Sequence, residues 1–158
     1  MTPMLRRATM RMAATLPVVL LLTASSCILH TSQQAEDRPI AESANDGKGS
    51  MIHVTDETIE SGGSDTVRFG RLHSGEIAVL TLWLANETEH PIVLSDYRRN
   101  CGCTTLEFTA QPIPPNRARR LPLTFDSRGE WGWQLKTVDL LFGGSEHPLR
   151  LFIEAEVE

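Results

Sequence analysis

Two thiols one residue apart stand at Cys101 and Cys103, in the stretch Asn100-Cys-Gly-Cys-Thr-Thr105. Sulfurs at that spacing can close a small disulfide ring or offer two soft donors to a metal. Either use requires both to point to one side, which alternating strand geometry with a glycine between them permits. In a fully extended chain the two alpha carbons stand about 6.6–7.2 Å apart, at or beyond usual disulfide spacing. A bridge therefore needs a turn at Gly102, where glycine has conformations closed to other residues. So small a ring is easier to reduce than an ordinary structural bridge. It also removes little entropy from the unfolded chain. As reduced thiolates the pair suits Cu(I), which accepts few soft ligands, better than structural zinc, which takes four. His73, His90 and His147 are the remaining candidate ligands, at no recognised spacing to the cysteines. Arg98 and Arg99 precede the pair and would favour thiolate. Four roles stay open: a loop feature without chemistry, thiol exchange, metal binding, or a cross-link to a partner.

Other constellations are weaker. No glycine-rich phosphate loop, His-Glu-x-x-His or Gly-x-Ser-x-Gly element occurs. No carboxylate pair is singled out for hydrolysis, and the acids lack a calcium-loop spacing. Trp83, Trp131 and Trp133 offer an aromatic surface for sugar or peptide, although tryptophans at alternate strand positions more often pack on a core. Arg117-Ala-Arg-Arg120 reads as a sheet-edge guard against strand pairing, not as an anion site.

The third cysteine has its own explanation. Arg6, Arg7 and Arg11 form a basic start, an apolar run follows from Met12 to Leu22, and Thr23-Ala-Ser-Ser26 leads into Cys27. This is the layout of a secretory signal, too short to span a bilayer comfortably. Small residues before a cysteine match a bacterial lipobox, with Ala24 where leucine is favoured. Residues 1–26 are thus expected to be removed and Cys27 to carry acyl chains, palmitate among them. Cleavage after Ser26 by an ordinary signal peptidase is the alternative. It would leave an unpaired thiol in an oxidising compartment. Processing removes three arginines and no acids, moving the net charge from −5 to about −8. That balance excludes nucleic acid as a partner and leaves any membrane contact to the lipid anchor. Residues 27–50 hold few large apolar side chains after Leu29 and are expected to be a disordered tether.

Residues 51–158 are enough for one domain with one core. Alternation runs through them: Leu80, Leu82 and Leu84 share one face while Ile77, Val79, Thr81 and Trp83 share the other. Leu149, Leu151, Ile153, Ala155 and Val157 repeat the pattern. Turn residues punctuate strands expected at 51–58, 65–70, 76–85, 91–97, 103–109, 117–125, 133–142 and 148–157, and helical spacing with caps is absent. The reading is all-β: an immunoglobulin-like antiparallel β-sandwich of seven to eight strands.

The order Phe69-Gly70, Gly75-Glu76, Pro91-Ile92-Val93-Leu94, Cys101-Gly-Cys-Thr104, Pro112-Ile-Pro-Pro115 and Phe125-Asp-Ser127 resembles a bacterial family of uncharacterised function. Its members are Ig-like domains of exported proteins and lipoproteins, common in Bacteroidetes and Planctomycetes. The resemblance covers residues 65–158 and rests on the Cys-Gly-Cys-Thr motif with its proline-rich turn. Asn116 departs from it where glycine is usual, and Trp131-Gly-Trp133 replaces a Gly-aromatic pair. The resemblance implies the sandwich and export, and brings no reaction. The chain is therefore expected to be a non-enzymatic binding or structural module in the cell envelope. Its anchor would be in the outer membrane and its partner an envelope protein or a glycan. Thiol redox or Cu(I) binding through Cys101 and Cys103 is the alternative.

Overall fold

A computed structural model describes residues 37–44 and 49–158 of the chain. Its elements, in chain order, are β1 (Asp37–Pro39), α1 (Ile40–Ser43), β2 (Gly49–Val54), α2 (Asp56–Ser61), β3 (Gly63–Leu72) and β4 (Ile77–Asn86). They continue with β5 (Leu94–Arg99), β6 (Thr104–Leu106), β7 (Arg117–Asp126), β8 (Gly132–Phe142) and β9 (Leu149–Val157). Residues 1–26, expected to be a signal segment, and Cys27 lie outside the described residues.

The strands form two stacked sheets. Sheet A runs β1-β7-β4-β2, and sheet B runs β3-β9-β8-β5. With β4 on one edge of β7, the other edge is shared: β1 pairs Arg117–Arg119 and β6 pairs Leu123–Phe125. The alternating apolar residues face inward as one core. Leu82, Leu84, Leu121, Leu123 and Phe125 from sheet A are almost wholly buried, as are Val138, Leu140, Leu151 and Ile153 from sheet B. The fold is an all-β sandwich, as the alternation implies.

Several details differ from the sequence reading, each for a physical reason. The sheets are mixed rather than antiparallel: β2 runs parallel to β4, and β3 parallel to β9. The chain leaves sheet A after β2, lays β3 in sheet B, and returns with β4, so β2 and β4 point the same way. The strand expected at 51–58 stops at Val54. Thr55 then caps α2, accepting from the Thr58 N–H at 3.3 Å while the Thr58 hydroxyl accepts from the Thr55 N–H at 3.2 Å. Ile92 makes only an isolated bridge to Ile113, and β6 is limited to three residues.

The tether expected over 27–50 gives way at Asp37–Ser43 and again at Gly49, where β2 begins. β1 is held because Arg119, 3% exposed, needs a counter-charge. Asp37 supplies it, accepting from Nε and Nη2 at 2.7 Å each, while the carbonyls of Gln111 and Pro112 take further guanidinium bonds. Arg119 therefore sits in a central strand, not at a guarded edge. Behind β1, Ile40 packs with Met51 against Trp83, Ala85 and Ala118 on the outer face of sheet A. The Arg38 guanidinium lies 5.3 Å from the centre of the Trp83 ring. The segment from Asp37 to Ser43 is a strap over an apolar patch.

Candidate functional site

Cys101, Gly102 and Cys103 carry the chain from β5 in sheet B to β6 in sheet A. Both limbs of this crossover are fastened. Asn100 extends the ladder of β5 onto β8, donating its N–H to the Thr137 carbonyl at 3.1 Å and accepting the Thr137 N–H on its side chain at 2.8 Å. The Cys103 carbonyl accepts from the Asp126 N–H at 2.8 Å. Arg99 reaches across the loop to donate to the Thr104 carbonyl and the Thr105 hydroxyl. Its charge is thus spent on the loop's far limb, while Arg98 acts on Asp139.

The two cysteines are joined as a disulfide, with alpha carbons 5.2 Å apart. The Cys103 N–H donates to Cys101 Sγ at 2.9 Å, and Cys103 packs against the core while both residues stay half-buried. A turn at Gly102 brings the alpha carbons together, but without a left-handed backbone. A β-carbon built on Gly102 would meet nothing within 4 Å. Glycine here is not demanded by strain, and Gly102 itself is exposed. The contrast is Asn116, the departure from the glycine pattern, whose φ of 59° explains why glycine is usual there and asparagine acceptable.

A residue that sequence reasoning passed over completes the site. The β7–β8 loop turns through Ser127, whose carbonyl accepts the Glu130 N–H at 3.0 Å. This places the Glu130 carboxylate beside the disulfide: one of its oxygens and both sulfurs all lie within 4.8 Å of one another. Glu130 also pairs with Lys136 at 3.0 Å, both being about four-fifths buried. No motif marks Glu130, because only the meeting of two loops from different strands brings it to the cysteines.

The candidate histidines do not join them. His73 and His90 sit exposed on the β3–β4 and β4–β5 connections, and His147 on the β8–β9 turn. The tryptophans divide: Trp83 is 3% exposed beneath the strap, whereas Trp131 is 70% and Trp133 62% exposed. Trp133 and Leu135 project from the outer face of sheet B opposite Glu156 and Glu154. There the β3 bulge, with Gly70 at φ 77°, borders a groove of about 230 Å³ lined by Arg68, Arg71, Trp133, Glu154 and Glu156. Among the described residues, no helix is long and apolar enough to cross a membrane.

A β-sandwich with a Cys-Gly-Cys crossover is the class these features define. The chain belongs to the family described as protein of unknown function (DUF1573), whose model matches residues 61–157. Among solved structures it is similar to a protein of unknown function from Porphyromonas gingivalis W83. The TM-score is 0.51 and the identity 17%, over 59% of this chain and 44% of that one. This chain thus spans less than half of that protein, and the likeness is one of fold. PbICP-C, from its structure in complex with falcipain-2, aligns with 70% of this chain and 100% of its own at 12% identity and a TM-score of 0.36. No curated protein matches the chain in sequence.

Proposed function

We propose that the protein is a cell-envelope lipoprotein, acylated at Cys27, whose sandwich is a non-enzymatic binding module. The observation that carries the binding role is the exposed Trp133, which lines the groove on sheet B, with Leu135 exposed on the same strand and Trp131 exposed on the loop before it. Large aromatic side chains left in water on a sheet face, bordered by charged residues, are the composition of contact surfaces. The anchor reading rests on the basic start, the apolar run and Cys27, and on the acidic balance that leaves no electrostatic hold on anionic lipid. Because Asp37 is fixed in sheet A, only ten residue steps separate it from Cys27, a reach of at most about 33–36 Å. The module would stand close to its membrane.

Intact mass of the protein from native envelopes tests the anchor: acyl mass on Cys27 is the expected result, and a free N-terminus at Ile28 or earlier would overturn it. Tryptophan fluorescence against envelope polysaccharides, with cross-linking in intact envelopes, tests the surface. Loss of the response in W131A and W133A is expected. An undiminished response in both variants would move the contact elsewhere.

A second reading, thiol exchange or Cu(I) binding, is favoured by a disulfide whose two cysteines are only half-buried and whose central Gly102 is exposed. A thiol protein would equilibrate Cys101 and Cys103 with glutathione, a behaviour absent in C101S/C103S. A bridge inert to glutathione and dithiols in the folded state would remove this reading.

A further inference from the structure

We propose that opening the disulfide creates a divalent-cation site of the zinc class, with Cys101, Cys103 and Glu130 as its ligands. The inference rests on the thiol reading and goes beyond it in naming the third donor and hence the metal. Its basis is the closeness of three donor atoms from two loops: both sulfurs and a Glu130 oxygen lie within 4.8 Å of one another. Zinc holds sulfur at about 2.3 Å and carboxylate oxygen at about 2.0–2.2 Å in a tetrahedral shell, which places neighbouring donors about 3.4–3.8 Å apart. Once the S–S bond is gone, side-chain rotation alone separates the sulfurs to that spacing, because the loop limbs stay fastened by Asn100, Arg99 and Asp126.

The donor set selects among metals. Two thiolates alone suit Cu(I), but a carboxylate is a harder donor that zinc accepts alongside sulfur. The carboxylate already faces a positive charge, the Lys136 ammonium at 3.0 Å, and a metal ion would take over that role. Three protein ligands leave a fourth position for water or a partner's side chain, the pattern of open rather than structural zinc sites. The metal would also tie the β5–β6 crossover to the β7–β8 loop, where the disulfide spans only its own three residues.

The chemistry balances as two steps. A dithiol reductant attacks one sulfur of the Cys101–Cys103 bond through a thiolate, and its second thiol displaces the mixed disulfide. Two electrons and two protons pass to the protein, and the reductant leaves as its own disulfide. The two cysteine thiols then each lose a proton on binding the cation, so that two protons are released per ion.

The test uses the whole chain, reduced with dithiothreitol and freed of it under anaerobic conditions, then titrated with Co(II) and back-titrated with Zn(II). The expected result is one ion per chain, a sulfur-to-cobalt charge-transfer band, tetrahedral ligand-field absorption and two protons released. E130Q should weaken binding about tenfold or more, while E130D retains part of the affinity. The oxidised protein should show no band. Circular dichroism confirms that each variant is folded, and an unfolded E130Q passes its role to K136M, which frees the carboxylate and should tighten binding. Equal affinity in parent and E130Q would overturn Glu130 as a ligand. So would binding of Cu(I) alone, unaffected by E130Q. Normal opening by dithiol with no charge-transfer band overturns the metal site and leaves thiol exchange standing. A bridge that resists the dithiol overturns both.

Discussion

Asp37 and Arg119 are separated by 82 positions in the chain, yet the carboxylate of one clasps the guanidinium of the other through two hydrogen bonds of 2.7 Å. The arginine is 3% exposed and the aspartate 19%. Removing either partner strands the other's charge, and the cost is larger when the stranded group is the arginine, 3% exposed, than when it is the aspartate, which at 19% lies nearer to water. D37N is expected to lower the unfolding free energy by about 3 kcal/mol, and R119M by clearly less, both read from urea denaturation. In a W131F/W133F background D37N should also shift Trp83 emission to the red as the strap loosens. An unshifted spectrum with full stability would show that the clasp does not hold β1.

The tryptophans separate packing from display. Trp83 to alanine removes a ring enclosed by Ile40, Met51, Ala85 and Ala118, with an expected loss of about 3–5 kcal/mol. W131A and W133A remove side chains that stand mostly in water and should change stability by no more than about 0.5 kcal/mol. Thermal denaturation of the three variants distinguishes them directly. A large loss in W133A would mean that the outer face of sheet B is a structural layer.

At the crossover, C101S/C103S should cost about 1.6 kcal/mol or less, since a ring closed over so few residues restricts the unfolded chain little. G102A should fold and gain about 0.4–1 kcal/mol, because its methyl meets nothing and the backbone there is not left-handed. A destabilised G102A would show that the turn depends on glycine after all.

The acid limb of stability has identifiable sources. Arg150, hydrogen-bonded to both oxygens of Asp139, holds that carboxyl below the usual range, and the Arg128 side chain does the same for Asp126. The unfolded chain ionises its aspartates at about pH 3.9. Both contributions are therefore fully present above that value and are lost as pH falls through the lower folded values. D139N should flatten the dependence of the urea midpoint on pH below about 4 while leaving its shape near neutrality unchanged. An acid limb identical to that of the parent would exclude the Asp139–Arg150 pair as a source.

Much of the sandwich is legible from alternation, because burial on one face of a sheet imposes a period of two on each strand. The inward Leu82 and Leu84 and the outward Ile77 and Val79 are examples. Alternation reports which face a residue takes and nothing about which neighbour its strand pairs, so the parallel β2–β4 and β3–β9 ladders are invisible to it. α2 is too short to express a helical period, and Thr58 stands where a capping box more often has Glu or Gln. The cysteines announce themselves by type. Glu130 does not: its place beside them is a product of loop geometry and no local pattern encodes it. Asp37 escapes for the same reason, since its low-complexity surroundings hide that its partner is a buried arginine.

The parallel pairing of β3 with β9 also has a consequence in time. β9 follows the other strands of sheet B in the sequence, yet it lies inside that sheet, between β3 and β8. Until residues 149–157 are made, no strand joins β3 to β8, and the core lacks Leu149, Leu151, Ile153, Ala155 and Val157. Closing a sheet through contacts so far apart in the sequence is slow. Sheet B therefore cannot be completed from its earlier strands alone, and its assembly waits on residues 149–157.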